Sequence, residues 1–315
     1  MSTVYVASVS GGKDSTAMCL HLLEQGIDFE AVTMDTGWEH PETYRYLDEV
    51  LPGIIGRPVL RLEPKYPELT EELEATAIRC EKMMGLPDLP DGTPRRSGMV
   101  RLMLKKVMFP SRLRRWCTRE LKIRPIQRHI KSVHKSGRLP VNCVGIRAAE
   151  SRARAKLPER ELSEPMDCVV WRPLIRWTEQ DVIDIHSRHN VKPNPLYLGG
   201  ALRVGCWPCI FSRKAEIRHI AQTDPRRIDV IRVLEGELEA GLRRRAAAMG
   251  ETLESRGHQP PRLFQGQGEG SPLGDMPPID RVVEWSRTAH GGRQMAMWGD
   301  HEGIDGCMRW GLCES

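Results

Sequence analysis

The sequence contains no long apolar run. Nowhere do its 315 residues approach the ~20 consecutive apolar positions that a helix needs to cross a bilayer. The basic-then-apolar pattern of a secretory signal is also missing, because a strand-like segment starts at Thr3. We therefore expect neither a membrane-spanning helix nor a secretory signal, and we predict a cytoplasmic protein without membrane contact.

Aromatic residues and several familiar motifs are also scarce. Aromatics make up 5% of the chain, although eight of them are Trp. No internal repeat is present, nor the HExxH motif of zinc proteases, nor the G-x-x-x-x-G-K-[ST] loop of kinases and GTPases. The charged fraction of 28% and the hydrophobic fraction of 40% are ordinary for a folded protein. The composition therefore indicates a globular chain of one large or two smaller domains.

A short glycine-rich loop follows the first strand-like segment. Thr3–Val9 is apolar and β-branched, and residues 14–25 carry apolar residues at helical spacing before Gly26. A turn between a strand and a helix exposes backbone N–H groups at the positive end of the helix dipole, where phosphate binds. The loop residues are Ser10, Gly11, Gly12, Lys13, Asp14 and Ser15.

Three of these loop residues are the predicted catalytic residues. Lys13 can neutralise charge on the pyrophosphate of a bound nucleotide, and Asp14 can hold Mg²⁺. Ser15 can donate a hydrogen bond to a phosphate oxygen. The alternative, a chance glycine-rich turn with a surface lysine, is disfavoured by the strand before it and the helix after it.

Strands and helices alternate after this loop. Further strands are predicted at 29–34, 58–62, 141–146 and 171–175, and Thr178 is predicted to cap a helix that runs to about His189. This order predicts an α/β fold with a doubly wound, mostly parallel sheet. We predict a nucleotide-binding domain at 1–205 and a smaller, mainly helical, Cys-bearing region at 206–315.

Asp35 lies directly after the second predicted strand. Ligands collect at the carboxyl ends of parallel strands in open sheets, so we predict that Asp35 contacts the nucleotide. The alternative is an Asp that only caps a turn or helix.

The loop Ser10–Ser15, read SGGKDS, resembles the PP-loop of the adenine nucleotide α-hydrolase superfamily. Four further segments, in order, are similar to its phosphoadenosine phosphosulfate reductase-like branch, which includes the DNA phosphorothioation ATP pyrophosphatase and the ATP sulfurylase small subunit. The resemblance covers roughly residues 3–215. The segments are Asp35–Trp38 (DTGW), Trp116–Lys122 (WCTRELK), Gly145–Arg152 (GIRAAESR) and Pro173–Val182 (PLIRWTEQDV).

This resemblance implies ATP as the bound nucleotide, with its β- and γ-phosphates in the loop, and transfer of AMP. It also implies that Lys122, Gly145, Arg147 and Arg152 help to bind the nucleotide or an anionic substrate, since Arg forks match phosphate oxygens. The alternative for the basic residues is ordinary surface pairing with nearby glutamates.

Two departures distinguish the chain from the true reductases of the branch. Those enzymes carry a degraded loop and a C-terminal Glu-Cys-Gly-Leu-His nucleophile, whereas this chain has an intact loop and ends in Gly311–Ser315, GLCES. We therefore favour an ATP pyrophosphatase that adenylates a substrate for sulfur transfer. The alternatives are an adenylyl-sulfate or phosphoadenylyl-sulfate reductase and a non-catalytic nucleotide- or nucleic-acid-binding module.

The sequence contains nine Cys, which are not expected to form disulfides in a reducing compartment. Cys206 and Cys209 form a CxxC pair, and Cys117 stands where the resembled branch places a cluster ligand. With Cys313 as the fourth ligand, or Cys307 in its place, they would hold a [4Fe–4S] cluster. Zn²⁺, a redox dithiol and simple buried cysteines are the alternatives.

The stretch 95–128 concentrates positive charge. It holds twelve Lys or Arg and one acid, in a chain whose net charge is +5. Such a stretch attracts phosphates, so nucleic acid is one predicted partner, and a small anion with a solvated basic surface is the alternative. A sulfur donor or other subunits of a modification complex are further expected partners.

Overall fold

A mostly parallel sheet forms the centre of the protein, seen in a computed structural model that describes residues 2–264, 276–288 and 310. The six strands lie in the order β3-β2-β1-β4-β6-β5, and only β5 runs antiparallel to its neighbour. This architecture confirms the predicted α/β fold. The strands are β1 (Thr3–Ser8), β2 (Phe29–Met34), β3 (Val59–Leu62), β4 (Leu139–Val144), β5 (Arg160–Ser163) and β6 (Cys168–Trp171).

Helices connect and cover these strands. Two of the connections contain a widened, π-helical turn, at Tyr46–Val50 and Arg119–Ile123, and each runs into a helix with proline in its first turn. The helices are α1 (Lys13–Glu24), α2 (Pro41–Arg45), α3 (Leu51–Ile55), α4 (Glu71–Met83), α5 (Gly98–Lys106), α6 (Trp116–Thr118), α7 (Arg124–Lys135), α8 (Glu179–Arg188), α9 (Pro195–Leu198), α10 (Lys214–Thr223), α11 (Pro225–Ala247) and α12 (Ile279–Arg287).

The strand predicted at 171–175 is placed differently. The structure ends β6 at Trp171 and follows it with a turn in which Ile175 donates its backbone N–H to Arg172. Pro173 has no N–H to give to a strand ladder, which explains the early end. By contrast, the helix start predicted at Thr178 is confirmed, because the Thr178 hydroxyl accepts from the Asp181 amide and the Asp181 carboxylate accepts from Thr178.

One hydrophobic core joins the two sides of the boundary predicted near residue 205. Trp38 and Met103, which precede this boundary, pack in the same buried cluster as Ile217, Ile231 and Leu234 from α10 and α11. The division into 1–205 and 206–315 therefore stays a prediction, with a shared core between its halves. Among the helices in the described ranges, none combines the length and apolarity that crossing a bilayer requires.

Candidate nucleotide site

The phosphate loop has the predicted setting between β1 and α1. Gly11 adopts a left-handed backbone with φ of 71°, and α1 begins at Lys13. The Ser10 amide donates to the Ser15 hydroxyl at 3.2 Å, and that hydroxyl donates to the Gly12 carbonyl at 2.9 Å. The loop is therefore closed on itself by its own serine, with the first amides of α1 at its open end.

The surroundings of both loop glycines leave little room for a side chain. A Cβ on Gly11 would lie 2.9 Å from the Thr43 side chain, in addition to the strain of its positive φ. A Cβ on Gly12 would lie 3.3 Å from the Tyr197 hydroxyl. Within the described part of the chain, the amides of Gly11 and Gly12 donate to no protein atom. These donors are available to a ligand's oxygen atoms.

A turn far along the chain supports the loop from outside. The Asn194 side-chain amide donates to the Gly11 carbonyl at 3.1 Å, and the Lys13 amide donates to the Tyr197 hydroxyl at 3.3 Å. Burial raises the pKa of Tyr197 well above its ordinary value, so the hydroxyl stays neutral. Asn194 caps α9 and Tyr197 lies within it, and no local sequence pattern links either residue to the loop.

A chain of alternating charges surrounds the start of α1. The Lys13 ammonium lies 3.2 Å from Glu179 and 3.8 Å from Asp14, and the Asp14 carboxylate also accepts from the Arg147 guanidinium. Lys13 and Arg147 are both largely buried. Glu179, the first residue of α8, was not predicted as a site residue. A bound anion in this loop would find two cations already positioned, each held by a carboxylate.

The segment after β4 reaches the loop by close backbone packing. A Cβ on Gly145 would lie 2.7 Å from the Asp14 carbonyl, so only glycine allows this approach. Two residues later, the Arg147 guanidinium donates to the Asp14 carboxylate, which brings two of the predicted site residues together. Arg152 is exposed and makes no ion pair with any residue in the described ranges, so its contact with a ligand stays a prediction.

Asp35 lies at the predicted carboxyl end of β2, and its carboxylate is already engaged. It accepts from the guanidinium groups of Arg61 and Arg95 and from the Gly37 amide. The same two arginines also bind Asp48, which closes a ring of four charges in which Asp35 and Arg95 are buried. The structure thus gives Asp35 a clear structural role, and its predicted contact with the nucleotide remains a prediction.

The segment after Asp35 joins the nucleotide domain to the CxxC segment. The Trp207 amide donates to the Trp38 carbonyl, and the Trp38 indole donates to the Pro208 carbonyl, both at 2.9 Å. Glu39 and Cys206 form an isolated antiparallel bridge. Arg227, which is fully buried, donates to the carbonyls of Trp38 and Glu39. The cysteine pair is therefore held directly against the end of β2.

Three of the predicted cluster cysteines are neighbours of Lys122. Burial raises the pKa of Cys206 to about 11, the Lys122 charge opposes that rise, and Cys117 and Cys209 add to it. Burial likewise raises the pKa of Cys117. The pKa of Lys122 is raised, chiefly because Cys206 lies beside it. The structure thus brings together Lys122 and the three cysteines that the sequence singled out.

These thiols do not form a metal site by themselves. Over residues 2–264, 276–288 and 310, no group of three or more His, Cys, Asp or Glu side chains has an arrangement that could hold a metal ion. Cys307 and Cys313, the candidates for the fourth ligand, lie outside the described residues. The donor set therefore fits a cluster in its chemistry, while its three described members are not arranged around a common centre.

The sheet order, the loop and the positions of Lys13 and Arg147 define a nucleotide-binding α/β protein of the doubly wound class. The family model for the phosphoadenosine phosphosulfate reductase domain matches residues 4–52 and 68–212. The chain therefore belongs to the phosphoadenosine phosphosulfate reductase domain family.

The chain is also similar to several individual proteins. An uncharacterized 37.8 kDa protein of Escherichia phage 186 is 36% identical over 260 residues, which are 75% of each protein. The adenosine 5'-phosphosulfate reductase of Deinococcus radiodurans is 27% identical over 186 residues, which are 59% of this chain and 58% of that enzyme. The crystal structure of the phosphoadenylyl-sulfate reductase from Candida auris in its phosphate complex is 18% identical, with a TM-score of 0.42, and the match covers 64% of this chain and 81% of that one.

Proposed function

We propose that this chain binds ATP at loop 10–15 and cleaves it between the α- and β-phosphates, so that adenylate passes to an acceptor for later sulfur transfer. The observation that supports this most directly is the loop itself. Its glycine amides have no partner in the described part of the protein, and Lys13 lies at the start of α1 beside them. Backbone donors of this kind hold the outer phosphates of a triphosphate.

The residues would act chiefly by holding charge in place. The loop amides and Lys13 would bind the leaving pyrophosphate, whose charge grows as the α–β bond breaks. Arg147, held by Asp14 and largely buried, is positioned to bind another phosphate oxygen near the same end of α1. Tyr197 and Asn194 would keep the loop in position during the reaction.

Mg²⁺ is part of the proposal, with Asp14 as its carboxylate ligand. Carboxylates suit this ion, and Mg²⁺ would share the neutralisation of the phosphates. In the described structure, however, the Asp14 carboxylate is already paired with Arg147 and lies 3.8 Å from Lys13. Asp14 can accept a cation only if these two basic side chains turn toward the phosphates, which binding of ATP would favour.

Substitution of Lys13 by alanine tests the ATP assignment. We expect pyrophosphate release from ATP to fall by about 100-fold or more, because a positioned donor to the leaving group is lost. A non-hydrolysable ATP analogue should also bind more weakly in calorimetry, whereas AMP should be affected little. Both measurements use the intact 315-residue chain.

The control for this variant is Lys131→Ala, which removes an exposed lysine from α7. Both variants should keep the melting temperature of the unmodified protein. Pyrophosphate release that is equal in the Lys13 and Lys131 variants would show that the loop does not carry the reaction.

A [4Fe–4S] cluster on Cys117, Cys206 and Cys209, with Cys313 or Cys307 as the fourth ligand, is the second part of the proposal. Its support is the proximity of the three described thiols to one another and to Lys122, whose positive charge would offset part of the negative charge of a cluster's thiolates. Such a cluster would supply electron or sulfur relay when bound. Zn²⁺ in the same thiolates is the alternative metal.

Anaerobic reconstitution with iron and sulfide tests the cluster. We expect absorbance near ~400 nm in the intact protein and its loss in Cys206→Ala. Cys80→Ala, which changes a buried cysteine of α4, is the matched control and should keep the absorbance. A colourless protein that instead retains zinc in a Cys206-dependent manner would replace iron by zinc in the proposal.

A reductase activity is the second candidate, because relatives such as the Deinococcus radiodurans protein are named adenosine 5'-phosphosulfate reductases. It requires a nucleophilic thiolate, and burial raises the pKa of both Cys117 and Cys206 in this chain. Sulfite release from adenylyl sulfate, without pyrophosphate release from ATP, would favour the reductase. Nucleotide binding with neither activity would indicate a binding module.

A further inference from the structure

Five of the twelve basic residues in the stretch 95–128 pair with carboxylates. Arg95 and Arg101 have side chains that are 1% exposed, and each pairs with two carboxylates. Arg119 and Arg124 are exposed but share the carboxylate of Glu120. Arg95 and Arg101 are thus buried and fully paired, whereas Glu120 offsets only part of the charge of Arg119 and Arg124.

Three of the other basic residues lie together in one exposed turn. Arg112, Arg114 and Arg115 are exposed and form no ion pair with any residue that the structure describes. The turn is held by Ser111, whose amide donates to the Arg114 carbonyl and whose hydroxyl accepts from the Arg114 amide. Leu113 at its tip is 95% exposed. Three guanidinium groups are thus displayed together without internal counter-charges.

An exposed aromatic ring lies beside this turn. The Phe211 side chain is 38% exposed, and its ring centre lies 5.2 Å from the Arg115 guanidinium and 5.7 Å from that of Arg112. Arg213, two residues later, is exposed and also has no ion-pair partner among the described residues. Arginines around an exposed ring form the combination on which unpaired bases stack while phosphates are bound.

This surface adjoins the cysteines of the candidate site along the chain. Arg115 precedes Cys117 by two residues, and Phe211 follows Cys209 by two. The two segments meet here, because the Arg115 guanidinium lies 5.2 Å from the centre of the Phe211 ring. A strand bound on this surface would pass beside the region where we place the sulfur chemistry.

We propose that the turn of Arg112, Arg114 and Arg115, together with Phe211, binds single-stranded nucleic acid, which would be the acceptor in the proposed adenylation. The role as acceptor rests on the proposed function, whereas the binding does not. Arginine forks match phosphate oxygens, and a ring can stack only on a base whose face is exposed. An acidic peptide would satisfy the charges but would leave the ring without a stacking partner.

Fluorescence anisotropy with a fluorescein-labelled single-stranded 20-mer DNA tests the binding. The variant Arg112→Gln/Arg114→Gln/Arg115→Gln should bind at least tenfold more weakly than the unmodified protein. The slope of log affinity against log salt should fall by about 2, as expected for the loss of three phosphate contacts on a single strand. Phe211→Leu should weaken binding by about tenfold while leaving the salt slope unchanged.

The control variant also removes three positive charges, but from a different part of the protein. Arg232→Gln/Arg243→Gln/Arg244→Gln changes three arginines of α11 that each lie near a carboxylate, and it should bind as the unmodified protein does. If both triple variants weakened binding equally, binding would depend only on net charge, and the proposal would be overturned. Preference for the duplex of the same sequence, or competition by poly-glutamate with no effect of Phe211→Leu, would overturn it as well.

The result of the nucleic-acid binding test can be distinguished from the result of the ATP cleavage test. Binding is measured without nucleotide, and Lys13→Ala should bind the 20-mer as tightly as the unmodified protein. Tight binding with no pyrophosphate release would therefore leave this surface assigned and reject the adenylation, whereas release without binding would do the opposite.

Discussion

Replacement of Asp35 by alanine is expected to lower the free energy of unfolding by about 3 kcal/mol, because it leaves a buried guanidinium with half of its counter-charge. Arg95 is 1% exposed at its side chain and binds both Asp35 and Asp48. The substitution of Asp35 would also remove the acceptor of the Gly37 amide. Chemical denaturation with urea measures the effect.

The control is Asp28→Ala, in which the carboxylate is 97% exposed and pairs with Arg57 at the surface. We expect no measurable change there, since exposed pairs contribute little. Adding Arg95→Met to Asp35→Ala should recover part of the lost stability, because the uncompensated charge is then gone. If Asp35→Ala keeps full stability but weakens ATP binding, Asp35 is a nucleotide ligand and the ring of charges is unimportant.

This ring also shows why Asp35 was only partly predictable. Its position at the end of a strand is a local property, and the alternation of strands and helices placed it correctly. Its partner Arg95 lies 60 residues away, and nothing in either segment indicates that they meet. In the sequence, Arg95 belongs to a basic stretch that looks available to phosphates, whereas the fold buries it.

The phosphate loop was predictable because every signal for it is local. The apolar strand, the two glycines and the amphipathic helix lie within one short segment, and their geometry follows from backbone preferences. The groups that fix the loop from outside are not local. The Tyr197 hydroxyl meets Lys13 across 184 residues, and Glu179 reaches Lys13 only because α8 packs beside α1.

The cysteine region was more predictable than the Asp35 ring and less predictable than the phosphate loop. The CxxC spacing singled out Cys206 and Cys209, and the resemblance added Cys117, which the fold then brought near them. The sequence could not show that Glu39 and Arg227 fasten this segment to the end of β2. Spacing predicts which side chains share a turn, but packing between distant elements decides what surrounds them.

A pH-dependent stability is expected from Glu235, a buried residue of α11. Its side chain is 5% exposed, one carboxylate oxygen accepts from the Ile279 amide at 3.0 Å, and the other has no hydrogen-bond partner among the described residues. Burial raises its pKa from 4.5 to about 7, Arg262 and the backbone donors oppose the rise, and Asp280 adds to it. The folded protein therefore holds this proton more tightly than the unfolded chain does.

Because the folded state favours the protonated form of Glu235, we expect Glu235→Gln to stabilise the protein at alkaline pH. Between about pH 4.5 and 7 the folded state binds more protons than the unfolded state, so stability falls as pH rises, by about 3 kcal/mol in total. Glutamine resembles the protonated acid, so the variant should match the unmodified protein near pH 4 and be more stable by about that amount at pH 8. Urea unfolding at several pH values measures the difference, and Glu237→Gln on the same helix is the control. Parallel stability curves for the unmodified protein and the Glu235 variant would mean that Glu235 is ionised in the fold, with Arg262 as a sufficient counter-charge.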